Sequence, residues 1–243
     1  MVGSVRRGPN EAAAEASAGR LVGVGAIGGL VGGMAMALFM MIWMAATGAG
    51  FWTPLSVGMA SLSYGITPPP SVMPMLAKLM PAHPSASVMQ AAMAMHTGHL
   101  TNPQMATLMK AMPVSARNMV MSAMPVQASH LLAGAVFHLG FAMALGAAFG
   151  ILIALLSRTG LAVATSRLVL AGAAVAGSAL VFVVQEAAVM PSLDPIMTVF
   201  PHEAFFIAHL IFGAVLAVAG VLAVRLAARP ATVPASRPAP ATV

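Results

Sequence analysis

Histidine, methionine and carboxylate side chains are the groups with which this chain of 243 residues could do chemistry, because it contains no cysteine. The absence of thiols removes disulfides, thiolate zinc sites and cysteine nucleophiles together. Two histidines, His138 and His209, stand inside apolar stretches, each preceded by another histidine, His130 and His202. At the helical rise, each inner histidine lies roughly 10 to 12 Å beyond its outer neighbour. Their surroundings echo one another, His138-Leu139-Gly140-Phe141 to Leu145 against His209-Leu210-Ile211-Phe212 to Leu216. Gln185 and Glu186 sit about one turn from the end of a third apolar stretch and should reach the same level. Ionisable groups in hydrocarbon are costly and turn toward the protein interior or a watery cavity. The pattern therefore describes a polar pocket of His138, Gln185, Glu186 and His209, with His130, Asp194, His202 and Glu203 at its mouth. Such a pocket could bind zinc or another first-row metal, relay protons or take a polar ligand. It could equally be a hydrogen-bonded network that only fixes how helices pack. Facing histidines in a bundle are also a pattern for axial haem ligation, although nothing else in the sequence marks a haem pocket.

A second constellation is methionine. Twelve of the 22 methionines lie between residues 73 and 124. Met89, Met93 and His96 share one helical face, and Met105, Met109 and Met112 repeat the spacing. Thioethers are soft donors suited to Cu(I), and His96 with His99 would add imidazole, so Met89, Met93, His96 and His99 form a candidate copper site. The same spacing also describes an adaptable apolar face. Span one uses Met34, Met36, Met40, Met41 and Met44 with no ligating partner nearby, which favours methionine as a plain hydrophobe.

Other chemistry is missing. There is no phosphate-binding GxxxxGK[ST] run, no GxSxG elbow and no HExxH helix, and the Gly-rich start of the first apolar stretch has no preceding strand to make a dinucleotide fold. The reading is accordingly non-enzymatic.

The elements that must position these groups follow from composition. Charged residues make up 7% of the chain and hydrophobic ones 60%, whereas a soluble domain carries about 25% charged residues. Four stretches are long enough to cross a bilayer: 21–46, 131–156, 168–190 with Pro191 as its stop, and 204–224. The basic residues are grouped. Arg6, Arg7, Arg20, Arg158, Arg167, Arg225, Arg229 and Arg237 fall on one side, against Lys78, Lys110 and Arg117 on the other. Lys and Arg accumulate on the cytoplasmic side, so both termini are expected in the cytoplasm and the pocket opens outward. The net charge of +6 is then a topology signal, and nucleic acid is not an expected partner. The partner is the lipid bilayer. Gly25, Gly28, Gly29, Gly32 and Gly33 supply GxxxG pairs that let helices approach closely, either within one bundle or as a homodimer face.

The expected fold is all-α, an integral membrane four-helix bundle with an extracytoplasmic Met-rich segment of short helices. Residues 1–20 are a cytoplasmic tail, 21–228 the membrane domain and 229–243 a proline-bearing disordered tail. Within the outer segment, 50–129, Phe51 and Trp52 suit the headgroup level, and Phe51–Tyr64 reads as a short interfacial helix. Proline-bounded helices follow at Ser85–Met95, Pro103–Met112 capped by Asn102, and Val114–Met124.

From His138 through Met190-Pro191-Ser192-Leu193-Asp194-Pro195 to Glu203 and His209-Leu210-Ile211-Phe212-Gly213, the second half resembles the layout of YagU-like bacterial inner-membrane proteins. The resemblance covers roughly a hundred residues. It implies a prokaryotic four-span inner-membrane protein and carries over no reaction or catalytic residue. The Met-rich interval lies outside it.

Overall fold

The computed structural model describes residues 9–59, 69–97, 99–159 and 166–227, which are helical with no strand among them. Four helices are long and apolar enough to cross a membrane, over Ala18–Ala46, Ala128–Arg158, Arg167–Leu193 and His202–Arg225. The first, α1, runs Pro9–Ala46 and so begins inside the stretch expected to be a tail. Pro9 suits a first-turn position, where its missing N–H is no loss, and the alanine-rich stretch after it consists of good helix formers. At the other end the chain turns at Gly48 and Gly50, with φ of +81° and +98°, a region that glycine enters without strain.

Short elements follow. A π-helical turn over Pro54–Met59 lies within the short interfacial helix expected over Phe51–Tyr64, and residues 60–68 lie outside the described ones. Phe51 and Trp52 are exposed and meet edge to face. Next come α2 (Met73–Lys78), α3 (Ala86–His96), α4 (Asn102–Lys110) and α5 (Val114–Ser122). Ser85 caps α3 by accepting from the Val88 amide. The cap of α4 is Thr101 rather than Asn102. The Thr101 amide donates to Gln104 Oε1 at 2.9 Å, half of a reciprocal capping motif that the sequence offers one residue upstream.

Half of the twelve methionines here are core. Met95, Met105, Met109, Met112, Met121 and Met124 are buried, and the cluster runs on into Met36, Met40 and Met44 of α1. Unbranched thioether chains fill the irregular space between short helices. Asn118 Nδ2 donates to Thr47 O at 2.8 Å, and Arg117 Nη1 to Val199 O at 2.9 Å. Helix α5 is thereby fastened to the end of α1 and to the link before the last long helix. The short helices form a cap over one end of the bundle.

Helix α6 spans Ala128–Arg158 and α7 Arg167–Val184. Pro191 does not stop the third long helix. A π turn over Gln185–Val189 and a helical turn, α8 (Met190–Leu193), carry it onward. The Met190 amide donates five residues back, to Gln185 O. The widened turn accommodates a proline ring that a regular α-turn would crowd. Asp194 leaves helical geometry, a 3-10 turn over Pro195–Val199 follows, and α9 runs His202–Ala227.

Helix α1 packs between α6 and α9, and α7 packs on α9. A Cβ added at Gly25 would strike Gly146 O, and one at Gly29 would stand 2.9 Å from Gly146 Cα. Gly28 and Gly32 turn instead to Ala219 and Phe212 of α9. The GxxxG pairs of α1 thus serve two internal seams. Gly213 repeats the device between α9 and α7, facing Val175 and Ser178. In space the order is α6, α1, α9, α7, an open arc whose two end helices make no extended contact with each other among the described residues.

Candidate functional site

The gap between those end helices holds a cavity of about 220 Å³ at the capped end of the bundle. Phe137, Phe141 and Leu145 of α6 form one side, and Val189, Met190 and Leu193 the other. Met36, Phe205 and Phe212 close the back. Four polar side chains enter this apolar wall: His138, Gln185, Asp194 and His209.

His209 is buried on α9 with both ring nitrogens engaged. Nδ1 is 2.8 Å from Phe205 O. A carbonyl only accepts, so Nδ1 carries the proton of that bond. Nε2 is 2.6 Å from Gln185 Oε1. An amide oxygen only accepts, so this bond forms with a proton on Nε2, or with the Gln185 amide turned to present its NH2 to an unprotonated Nε2. The ring is further held edge-on by Phe182, with centroids 5.5 Å apart. Behind it, the Ser178 hydroxyl donates to the His209 carbonyl, pinning α7 to α9 at this level.

His138 donates from Nε2 to Gly33 O at 2.9 Å. That carbonyl can be approached because position 33 has no side chain and α1 lies close against Ala142. The neutral ring keeps Nδ1 as an acceptor. Asp194 is buried where α8 ends and also faces the cavity.

The expected pocket is therefore only partly assembled. His138, Gln185, Asp194 and His209 come together, whereas Glu186 is not on the cavity wall. Neighbouring helical residues point in different directions, so Gln185 takes the inward place and Glu186 turns to the cap end. There Glu186 Oε2 lies 2.7 Å from His202 Nδ1, joining the π turn to the first turn of α9. His130 is half-buried at the start of α6, Glu203 is exposed, and neither reaches the cavity.

On the cap, Met89, Met93, His96 and His99 are all exposed. Helix α3 buries its other face through Val88, Ala91 and Met95. Met105, Met109 and Met112, the second copy of the spacing, are core. Among the described residues no three His, Asp or Glu side chains stand close enough to share a metal ion. Arg117 lies partly buried between α5 and the Val199 carbonyl, and that desolvation pushes its guanidinium below its usual value.

Sequence reasoning did not mark the apolar wall. Phe137, Phe141, Val189 and Leu193 look like any other residues of a span, and only the open arc of helices makes them a lining. Among the described residues, the lining includes no serine, threonine, lysine or arginine. The arrangement is a mainly apolar space with His138, Gln185, Asp194 and His209 among its lining. Comparison of the chain with protein families, curated proteins and solved structures finds no match.

Proposed function

We propose that the chain is a multi-span protein of a bacterial inner membrane, with both termini cytoplasmic, that binds a small molecule without transforming it. Four apolar helices support the membrane reading, and the grouping of arginines away from the cap supports the orientation. The YagU-like layout of the second half agrees with that compartment. On this orientation the Met-rich cap is extracytoplasmic and the cavity lies in the outer half of the bilayer.

One observation carries the binding reading: the His209–Gln185 pair, with His138 and Asp194, projects into a cavity whose remaining wall is apolar. A concave apolar site with a few convergent polar groups is the usual form of a small-molecule pocket. Packing alone does not require the space, because side chains in a pure packing contact fill it.

Native mass spectrometry of the full chain, released from mild detergent, tests this. The wild type retains a bound molecule, and Leu145→Trp, which fills the cavity from α6, loses it. An adduct of equal occupancy in both proteins, or none in either, would refute the proposal.

A further inference from the structure

We infer that the exposed face of α3 binds one soft monovalent metal ion, Cu(I), through the thioethers of Met89 and Met93 and the imidazole of His96, with His99 beside them as a fourth donor. The site lies on the cap, apart from the cavity, and does not depend on what the cavity holds.

Burial separates the methionines by use. Of the twelve between residues 73 and 124, six are buried and three are partly so, which is the behaviour of a plain hydrophobe. Met89 and Met93 depart from it, at 47% and 58% exposed. They stand four residues apart on one face of α3, and His96, also exposed, is three residues further along it. Residues at these spacings are neighbours on a helix, with Cβ atoms about 5 to 6 Å apart, and an unbranched thioether chain can swing to close that distance. The face is held outward because α3 buries Val88, Ala91 and Met95 on its other side and rests on α4. Both ends of α3 are fixed. Ser85 caps the first turn, and at the other end the Thr97 amide donates to Met93 O at 3.1 Å and the His99 amide to Ala94 O at 3.0 Å. The second of these bonds folds the chain back over the helix end and keeps exposed His99 close to His96.

The donor set selects the ion. Thioether sulfur and imidazole nitrogen suit Cu(I), whereas hard cations require oxygen ligands. No aspartate or glutamate occurs anywhere from residue 16 to residue 185. Without a carboxylate or a thiolate nearby, a divalent ion would keep its full charge beside neutral ligands, and a monovalent one is the better match. A lipid-docking helix is a poorer description of this face. Such helices set Lys and Arg beside Trp, Phe or Leu, and α3 has none of these five residue types.

The test is an anaerobic titration of the full chain in mild detergent with Cu(I), using bicinchoninate as the coloured competitor and ascorbate as reductant. The wild type should withdraw one equivalent of Cu(I), and X-ray absorption should show both sulfur and nitrogen neighbours. Disturbing a metal's surroundings costs about 10- to 100-fold in affinity, so Met89→Leu with Met93→Leu should weaken binding at least about tenfold. His96→Ala should do the same, and keeps the question decidable should the double variant misfold by circular dichroism. Met119→Leu is the control, because this exposed methionine on α5 has only Ser115 and Ser122 one turn away. It should bind as the wild type does. No withdrawal of Cu(I), an unchanged affinity in the folded Met89/Met93 or His96 variants, or an equal loss in Met119→Leu would overturn the inference. Displacement of the ion by equimolar Zn(II) would overturn it as well.

Discussion

Gly146→Ala should destabilise the bundle although alanine is the better helix former. The replacement Cβ would strike Gly25 O and would stand 2.6 Å from Gly29 Cα and 2.7 Å from Gly29 N. Ordinary contact begins near 3.4 Å, and every obstructing atom is backbone, so no side chain can swing aside. Helices α1 and α6 must part by on the order of 1 Å, losing dispersion contacts along the whole seam. Overpacking of this kind costs about 1 to 3 kcal/mol, and rigid obstacles place it near the upper end. The intrinsic gain of alanine over glycine in a helix is about 1 kcal/mol. The net expectation is a loss of about 2 kcal/mol. Gly140 on the same helix is the internal control, since a Cβ there meets nothing within 4 Å. Gly140→Ala should be neutral or slightly stabilising. Reversible unfolding of both variants in mixed detergent micelles, followed by circular dichroism, measures the difference. Two variants with stabilities within about 0.5 kcal/mol of each other would refute the assigned seam. The variant should also disturb the cavity, because parting α1 from α6 lengthens the bond from His138 to Gly33 O, now 2.9 Å.

Three further outcomes are expected. Asn118→Ala removes the 2.8 Å bond that fastens α5 to Thr47 O. It should cost about 1 to 3 kcal/mol locally, read as faster amide exchange in α5 with α6 and α9 unchanged. With no native cysteine in the chain, Gln90→Cys on the cap should react with a membrane-impermeant maleimide in intact cells, whereas Thr159→Cys should react only after permeabilisation; the opposite pattern would invert the proposed orientation. Because His209 uses both ring nitrogens in hydrogen bonds, protein purified with haem supplied should lack a bis-histidine absorbance spectrum, and the appearance of one would show that the Gln185 contact yields to a ligand.

The sequence by itself determined the four long helices, since a charge-free apolar stretch of about 20 residues has little other stable form than a membrane-spanning helix. It also put His138, Gln185, Glu186 and His209 near one level, because depth along a helix is residue count times rise, without telling which of Gln185 and Glu186 turns inward. Charge content pointed to the membrane class in the same local way. Tertiary structure decided matters that depend on which helix lies beside which. Five glycines on α1 read as a small-residue stripe, but only the three-dimensional arrangement divides them between α6 and α9. Gln185 and Glu186 are adjacent in the chain, yet the π turn sends one to His209 and the other to His202. Pro191 was legible as a helix stop until the widened turn before it absorbed the ring. The face carrying Met89 and Met93 proved to be the exposed one, since burial of α3 depends on what packs beneath it. The cavity was illegible for the same reason. A void is a property of the space between elements, and local sequence encodes the surfaces that border it without encoding their separation.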